Sequence, residues 1–408
     1  MAADKMRPAL PQRAEAGAVP VKETLSGTGR FGMATVLTVS GGHLIHDLYT
    51  SFLAPLLPLL MDRFALTATM AGALGLFLNL PSALNPFLGL LAERWEIKLL
   101  AVAAPAVTAA AMTCLGLAPS FIVLALLLVT AGVSAAMWHL LGPVIIARTA
   151  GQGVGRGMGL WMTAGELART LGPLAAVGTV ALFGLERMWP VMAVGLLSSF
   201  FLYLQLRGLS TSSGRTKGGS LGDGWRVLKG LMLPLAGVQL TQVFMIYGLM
   251  LYLPTFMVRQ GRGLWLSGAS LALLELSGVI GALTAGSLSD RLGRRRVITG
   301  SMALAPLLLF LFSRSIGWLQ VPLLALLGFF VFAATPVLLA MVQENCGGRR
   351  ALANGIFMGF NFGFGALASV TIGRLVDSLG FVPAYGICAL IGLAGLVLIP
   401  ALPRDRKG

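Results

Sequence analysis

Three side chains near residue 45 can bind or exchange cations. His43, His46 and Asp47 lie at positions i, i+3 and i+4, a spacing that places all three on one face of a helix. A carboxylate beside imidazoles in an apolar environment can take up and release protons near neutral pH. The pattern predicts that His46 and Asp47 take part in proton coupling and that His43 contacts a substrate. The structural alternative is that these groups join neighbouring helices through hydrogen bonds.

A second charged set lies farther along the chain, inside apolar segments. Glu166 and Arg169 have the i, i+3 spacing of a helical ion pair, and ionisable groups within a membrane are costly enough to be functional candidates. Protonation of Glu166 would free Arg169 to attract an anionic substrate or to pair with Asp47. Glu275 has no basic neighbour in sequence and is a further predicted protonation site. Permanent ion pairs that fix helix packing are the alternative.

The composition indicates that these residues lie in a membrane protein. Of the 408 residues, 56% are of hydrophobic types and 11% are charged, with a mean hydropathy of +0.85, whereas soluble domains carry about a quarter charged residues. Apolar segments of about 20 residues, the length that crosses a bilayer, recur along the chain. The predicted class is an all-α membrane protein with twelve transmembrane helices, at approximately 33–61, 66–91, 98–117, 120–147, 157–183, 188–206, 227–257, 265–288, 297–313, 318–342, 351–375 and 382–402.

The basic charge of the chain fits membrane orientation better than nucleic-acid binding. The net charge is +15, but the Lys and Arg residues lie between apolar segments rather than on a soluble domain. Most of them fall on the side of the N-terminus, so the positive-inside rule predicts a bacterial inner-membrane protein with both termini in the cytoplasm. The three cysteines have neither disulfide nor metal-site spacing. Because no nucleotide-binding loop and no nucleophile with its base are found, we expect neither enzyme activity nor a cofactor.

Two segments recur in each half of the chain. Residues 89–94, Gly-Leu-Leu-Ala-Glu-Arg, match residues 286–291, Gly-Ser-Leu-Ser-Asp-Arg, and residues 157–165 match 355–363 at nearly the same offset. Repeated halves allow one structure to open a central site to either side of a membrane. The predicted organisation is a disordered tail at 1–30, pseudo-symmetric six-helix halves at 31–206 and 227–402, a flexible linker at 207–226, and a tail at 403–408.

Residues 286–296, Gly-Ser-Leu-Ser-Asp-Arg-Leu-Gly-Arg-Arg-Arg, resemble the loop between helices eight and nine of the major facilitator superfamily. The resemblance covers nearly the whole chain after residue 30 and implies the major facilitator fold. It also implies a conformational latch at the cytoplasmic helix ends, formed by Gly89, Glu93, Arg94, Gly286, Asp290, Arg291, Gly293 and Arg294. The first-half copy departs from the motif, with Glu93 in place of Asp. The alternative is that these charges only set the membrane topology.

Three local matches narrow the resemblance. Residues 43–47 (His-Leu-Ile-His-Asp), 138–139 (Trp-His) and 341–345 (Met-Val-Gln-Glu-Asn) look like segments of the fosmidomycin-resistance-protein group of drug exporters within this superfamily. They imply export. Family members usually act as monomers, so the resemblance also implies a monomer.

The fifth apolar segment carries a pattern of small residues. Gly159, Ala168, Gly172 and Pro173 resemble the antiporter motif G-x8-G-x3-G-P of this superfamily, with Ala in place of the second Gly. Small residues and a proline permit close helix packing and a bend. The resemblance implies antiport, and ordinary helix packing is the alternative.

The family resemblance also nominates substrate contacts, because helices one, four, seven and ten line the cavity of these transporters. The predicted contacts are His43, Tyr49, Trp138, His139, Gln239, Gln242 and Tyr247, with Asn361 and Phe364 of helix eleven. Packing is the alternative for the aromatic members.

The favoured function is proton-coupled export of a small organic compound by alternating access, with protons and the lipid bilayer as the other partners and no nucleic acid. Import of a small organic anion through Arg169 is one alternative. A transition-metal carrier is another, because all three histidines of the chain fall in helices one and four of the same half, near Asp47. A non-transporting scaffold or receptor is the third.

Overall fold

The chain folds into a bundle of helices in which successive helices run in opposite directions. The structure, a computed structural model, describes residues 32–85, 98–208, 221–346 and 350–403, and every regular element in those ranges is helical. Ten helices there are long and apolar enough to cross a membrane, and two shorter apolar helices accompany them, Ala68–Ala83 and Leu99–Thr113. The predicted all-α class with twelve helices is confirmed.

The described residues form six helices in each half. Those of the N-terminal half are α1 Met33–Phe64, α2 Ala68–Ala83, α3 Lys98–Thr113, α4 Phe121–Thr149, α5 Val154–Phe183 and α6 Met192–Leu206. α1 is interrupted at Ser51 and Phe52, which divide it into Met33–Thr50 and Leu53–Phe64. Those of the C-terminal half are α7 Leu221–Arg259, α8 Leu264–Leu292, α9 Arg294–Arg314, α10 Gln320–Asn345, α11 Arg350–Leu379 and α12 Phe381–Ala394.

Local sequence sets several helix ends. The side chains of Thr67 and Ser120 cap α2 and α4 by accepting hydrogen bonds from the backbone N–H groups of Met70 and Val123. Gly293, between α8 and α9, has a φ of +97°, which glycine adopts without steric cost. The chain can therefore reverse direction at this single residue.

Some predicted segments differ in the structure or fall outside the described residues. α7 begins at Leu221, inside the predicted linker, where Leu221, Trp225 and Leu228 recur at helical spacing. The remainder of the linker at 209–220, the tail at 1–30 and the end of the chain after Pro403 lie outside the described residues. So do the first-half latch residues, Gly89, Glu93 and Arg94.

The described chain begins and ends at the same end of the bundle, which we call the near end; the opposite end is the far end. At the near end, the N–H of Gly32 donates to the carbonyl of Thr149 at the end of α4 (3.1 Å). Arg295, at the start of α9, donates to the carbonyls of Pro400 and Pro403 after α12. These contacts tie the ends of the helices together within each half.

The two halves meet toward the far end, where α2 packs along α11 and α5 packs along α8. Glycines allow the first pair to approach with backbones in contact. A methyl group on Gly72 would collide with the carbonyl of Ser369, and one on Gly373 would collide with the carbonyl of Ala68. Asp47, Glu166 and Arg169 lie farther toward the near end than these contacts.

Candidate functional site

Asp47, on α1, is the centre of a polar cluster in the N-terminal half. Its Oδ2 lies 3.1 Å from Nε2 of His43 and 3.3 Å from Nε2 of His139 on α4, and these two nitrogens are 3.4 Å apart. Its Oδ1 accepts a hydrogen bond from Nδ1 of His46 (2.8 Å). The helical face predicted from the spacing is therefore present, and α4 adds a third imidazole to it.

Backbone carbonyls and an aromatic ring hold the imidazoles. The ring of His43 stacks on the indole of Trp161 on α5, with 3.7 Å between ring centroids, and its Nδ1–H donates to the Trp161 carbonyl (2.9 Å). Nδ1–H of His139 donates to the carbonyl of Ala135 one turn earlier (2.9 Å). Sequence analysis did not identify Trp161. Trp161 lies within the repeated segment 157–165, but nothing in that segment indicates a contact with His43.

The cluster is buried on one side and reached from the other. His43, His46 and Asp47 are buried, whereas the side chain of His139 is 39% exposed. A small ligand therefore reaches Asp47 past His139.

Small residues of α5 bring this helix against α1. A methyl group on Gly165 would lie 2.6 Å from the His43 ring, and one on Gly172 would lie 2.5 Å from Cβ of Ser51. Ala168 is fully buried, whereas a methyl group on Gly159 would meet nothing within 4 Å. Most of the antiporter-like pattern thus serves close packing of α5, and its role in antiport stays a prediction.

Arg169, on α5, connects the two halves. Its guanidinium forms an ion pair with Glu166 on the same helix, and its Nε lies 3.9 Å from Oε2 of Glu275 on α8. The second distance is too long for a hydrogen bond, and Nε has no hydrogen-bond partner among the described residues. The contact inside the N-terminal half is therefore tight, and the contact across the halves is loose.

The two polar sets form one charged region. Arg169 also lies close enough to Asp47 for their charges to interact, and it lies near Tyr247 on α7. The region thus contains three carboxylates, those of Asp47, Glu166 and Glu275, and one guanidinium. If all three are ionised, the region carries two net negative charges, which protons or a cationic ligand would neutralise.

Two predicted substrate contacts lie within the packing of the N-terminal half. Tyr49 is 1% exposed, and its hydroxyl donates to the carbonyl of Val191, just before α6 (2.6 Å). Trp138 is fully buried and packs against the ring of His46. In this conformation neither side chain is placed to touch a substrate, because other parts of the half cover it.

The two glutamines predicted as substrate contacts are also buried. Nε2 of Gln242 donates to the carbonyl of Val331 on α10 (2.9 Å), and Nε2 of Gln239 donates to the carbonyl of Phe357 on α11 (3.4 Å). Their amides therefore join α7 to its neighbours in the C-terminal half.

The remaining predicted contacts lie on α7 and α11. The ring of Tyr247 fills the space beside Gly365, where a methyl group would overlap it. Asn361 and Phe364 are partly exposed on α11, and Phe364 stacks on Phe360 with 5.4 Å between ring centroids. Tyr247 also lies near Arg169 of α5.

At the near end, Arg294 joins three helices of the C-terminal half. Its Nη2 lies 2.7 Å from Oδ1 of Asp290 on α8 and 2.7 Å from Oε1 of Glu344 on α10. The predicted latch thus has Arg294 at its centre, with Glu344 as a partner that sequence analysis did not assign to it. The other described latch residues lie on the same α8–α9 segment: Gly286, Arg291 and Gly293.

Comparison with known proteins identifies relatives that extend along nearly the whole chain. The model of the Major Facilitator Superfamily matches residues 39–348 and 275–408. The chain is 28% identical over 385 residues to the fosmidomycin resistance protein of Escherichia coli (strain K12), covering 92% of this chain and 94% of that protein. It is 26% identical over 414 residues to the uncharacterized MFS-type transporter YfnC of Bacillus subtilis (strain 168), covering 96% and 98%.

Among solved structures, the nucleoside transporter NupG superposes with a TM-score of 0.75 at 16% identity, over 90% of this chain and 98% of that one. Both comparisons agree with the twelve-helix architecture, which is that of a multi-pass membrane transporter and not of an enzyme. The chain belongs to the Major Facilitator Superfamily.

Proposed function

We propose that this transporter exports a small organic compound in exchange for protons, by alternating access across a bacterial inner membrane. The observation that carries the proposal is the position of Arg169 between Glu166 of its own half and Glu275 of the other half. Because one guanidinium serves two carboxylates, neutralising either carboxylate changes the attraction between the halves. A ligand that acts in this way shifts the balance between the two conformations.

The excess of carboxylates over basic groups determines whether the proton and the substrate move in opposite directions or together. A proton and a substrate that brings positive charge or hydrogen-bond donors compete for the same carboxylate oxygens. Arrival of one therefore favours release of the other, which is the requirement of antiport. Glu166 and Arg169 are 30% and 41% exposed, so both are accessible to a substrate in the space between the halves.

The direction of transport and the orientation of the chain are parts of the same proposal. One relative is named for resistance to a drug, and resistance by a transporter is most simply obtained by efflux. The Lys and Arg residues are concentrated in near-end segments, which supports a cytoplasmic near end with both chain termini there. Contacts between the halves at the far end then leave the charged region facing the side from which an exporter loads.

Import of a small organic anion is the second candidate. The partly exposed guanidinium of Arg169 favours it, because a carboxylate or phosphate group binds Arg well once Glu166 is protonated and no longer competes. In that case the proton and the substrate bind together, so coupling has the sign of symport. The two candidates therefore differ in the direction of proton movement.

The test is substrate-dependent proton flux in energised everted membrane vesicles, followed by the quenching of a pH-sensitive dye. Fosmidomycin, lipophilic cations and small organic anions are added to vesicles that contain the wild type, Glu166→Gln or Glu275→Gln. Glu186→Gln is the matched control, because Glu186 forms an exposed ion pair with Arg63 at the far end. We expect one organic class to dissipate the gradient with the wild type and the control, and at least about tenfold more slowly with the other two variants.

Two outcomes would count against the proposal. Glu166→Gln and Glu275→Gln could both dissipate the gradient at the wild-type rate, which would exclude the carboxylates from coupling. Alternatively, an organic anion could accumulate in right-side-out vesicles together with protons, which would establish the import function instead.

A further inference from the structure

The cluster around Asp47 has a geometry that proton coupling through Glu166 and Glu275 does not require. We propose that Nε2 of His43, Nε2 of His139 and Oδ2 of Asp47 form a binding site for a divalent transition-metal ion of the Zn²⁺ class. These three atoms lie on α1 and α4, within 4.8 Å of one another. Two imidazoles and one carboxylate are a ligand set that such ions prefer.

The tautomers of the two histidines are the first argument. Nδ1 of His43 faces the carbonyl of Trp161, and Nδ1 of His139 faces the carbonyl of Ala135, each at 2.9 Å. A carbonyl only accepts hydrogen bonds, so in both rings Nδ1 carries the hydrogen. In the neutral imidazole the lone pair is then on Nε2, which is the arrangement that second-shell carbonyls impose on metal-binding histidines.

The distances are the second argument. Two Nε2 lone pairs and a carboxylate oxygen lie 3.1, 3.3 and 3.4 Å from one another, and neutral imidazoles in these tautomers place no hydrogen between them. A tetrahedral ion with bonds of about 2.0–2.2 Å holds its ligand atoms about 3.3–3.6 Å apart, and an octahedral ion holds them about 2.8–3.1 Å apart. A cation between the three atoms would therefore replace repulsion between lone pairs with three bonds, without large movement.

The surroundings of the three atoms fit a metal centre as well. His46 donates from Nδ1 to Oδ1 of Asp47 (2.8 Å), which leaves Oδ2 directed at the two imidazoles. The stacked ring of Trp161 fixes the plane of His43. The 39% exposure of His139 leaves access for the ion and for a fourth ligand.

Charge balance is the third argument. Two carboxylates, those of Asp47 and Glu275, lie outside the tight Glu166–Arg169 ion pair and leave two net negative charges when ionised. One divalent cation beside Asp47 balances this charge without altering the Arg169 ion pair. The ion can arrive free in solution or already bound to an organic ligand that then fills the fourth position, since both bring the same metal to the same three atoms.

The test is metal binding by the purified full-length protein, without a histidine tag, in detergent. The chain contains only three histidines, His43, His46 and His139, so spectroscopic signals from imidazole ligands arise from this cluster alone. Co²⁺ serves as the visible probe and Zn²⁺ as its competitor. We expect one Co²⁺ to bind with visible absorption bands, Zn²⁺ to displace it, and His139→Ala to weaken binding more than about 100-fold.

Controls separate ligation from general attraction to negative charge. Glu166→Gln removes a neighbouring charge but no proposed ligand, so we expect it to keep the same visible bands and to lower the affinity by at most about tenfold, far less than the ligand variants do. Asp47→Asn serves as a second ligand variant, and size-exclusion profiles establish that each variant is folded. If neither ligand variant folds, the wild type is tested by whether Zn²⁺ protects His139 from modification by diethyl pyrocarbonate.

Two results would overturn the site. One is folded wild-type protein that binds no stoichiometric Co²⁺ and in which Zn²⁺ gives no protection of His139. The other is binding that survives His139→Ala or Asp47→Asn unchanged.

If the wild type binds Co²⁺ as proposed, addition of acetohydroxamate to the Co²⁺-loaded protein distinguishes a free ion from an ion that arrives with an organic ligand. A shift of the bands shows a fourth position that takes an organic ligand, whereas unchanged bands show a site for the free ion. Metal binding at equilibrium does not depend on the direction or coupling of transport, so its failure would leave the proposed function intact.

Discussion

At the scale of single residues, the contacts of Arg169 with two carboxylates depend on the shape of its side chain. The guanidinium presents separate N–H groups in a plane, with Nη2 directed at Glu166 and Nε directed at Glu275. The ammonium of lysine is a compact charge that cannot face two fixed carboxylates in this way. The proposed coupling therefore depends on this shared position of Arg169 and not only on its positive charge.

Arg169→Lys should therefore uncouple transport without removing it. We expect transport driven by a proton gradient to fall at least about tenfold, because one of the two carboxylates loses its partner, whereas substrate exchange without a gradient should persist at a reduced rate. Both rates are measured in proteoliposomes with the compound identified in vesicles. Arg63→Lys is the control, since Arg63 lies in an exposed ion pair with Glu186. Full gradient-driven transport by Arg169→Lys would show that charge alone suffices.

Residue spacing predicts contacts within a helix and misses contacts between helices. The i, i+3 pair of Glu166 and Arg169 is present as predicted from the sequence. Glu275 is predicted as a protonation site, but its position beside Arg169 cannot be predicted from spacing. The two residues lie on helices of different halves, which meet only through the packing of those halves. Tyr49 is predicted as a substrate contact because helix one lines the cavity in the family that the sequence resembles, and it follows Asp47 by two residues. Two residues correspond to about 200° around a helix, so its side chain points to the opposite side.

At the scale of helices, small residues determine how closely α1 and α5 pack. Gly159 and Gly172 belong to the same predicted motif but have different surroundings. A methyl group on Gly172 would lie 2.5 Å from Cβ of Ser51 and 2.9 Å from the carbonyl oxygen of Leu48, whereas one on Gly159 would meet nothing within 4 Å. The sequence motif identifies α5 as a helix of close contacts but does not indicate which glycine makes them.

Gly172→Ala should consequently destabilise the protein, and Gly159→Ala should not. The added methyl group at Gly172 meets a backbone carbonyl that has little freedom to move, so we expect a loss of about 1–3 kcal/mol in the free energy of unfolding. The corresponding change at Gly159 improves helix propensity in open space. Thermal unfolding of the two purified variants measures the difference. Equal melting temperatures would contradict the close α1–α5 contact.

The closure of the far end depends on a cap that crosses the halves. The carboxylate of Asp377, near the end of α11, accepts hydrogen bonds from the backbone N–H groups of Ala68 (2.7 Å) and Thr69 (2.8 Å) and from the Thr69 hydroxyl (2.6 Å). These donors belong to the first turn of α2, where a negative charge is favoured. Sequence analysis did not identify Asp377, because a cap supplied by another helix leaves no local spacing to recognise.

Asp377→Asn should open the far end. The amide keeps the size of the side chain but loses its charge and one acceptor oxygen. The conformation closed at the far end therefore loses stability relative to the conformation that is open there. Spin labels at Glu186 and Trp318, both in far-end loops of different halves, report the separation, and we expect a larger population at long distance. Asp62→Asn is the control, because Asp62 and Arg259 form a cross-half ion pair with both side chains more than half exposed. Equal distance distributions in the two variants would exclude the cap as a closing element.

At the scale of the whole molecule, contacts between the halves at the far end leave the charged region facing the near end. α2 meets α11 there, and a methyl group on Gly268 of α8 would lie 2.7 Å from the side chain of Val177 on α5. The apolar runs predict the helices, and the repeated segments predict two halves. Neither indicates which side is closed, because both conformations of an alternating-access transporter have the same helices and differ only in how the halves meet.

This arrangement predicts that the central site is labelled from one side of the membrane only. In a variant without the three native cysteines, Glu166→Cys should react with a membrane-impermeant maleimide in everted vesicles, where a cytoplasmic near end would face the medium, and at least about tenfold more slowly in right-side-out vesicles. Trp318→Cys, at an 81% exposed far-end position, should show the reverse. Reaction of Glu166→Cys from the far-end side alone would mean that the opposite conformation predominates, and reversed labelling of Trp318→Cys would place the near end outside the cytoplasm. Because the two positions report separately, conformation and orientation are decided independently.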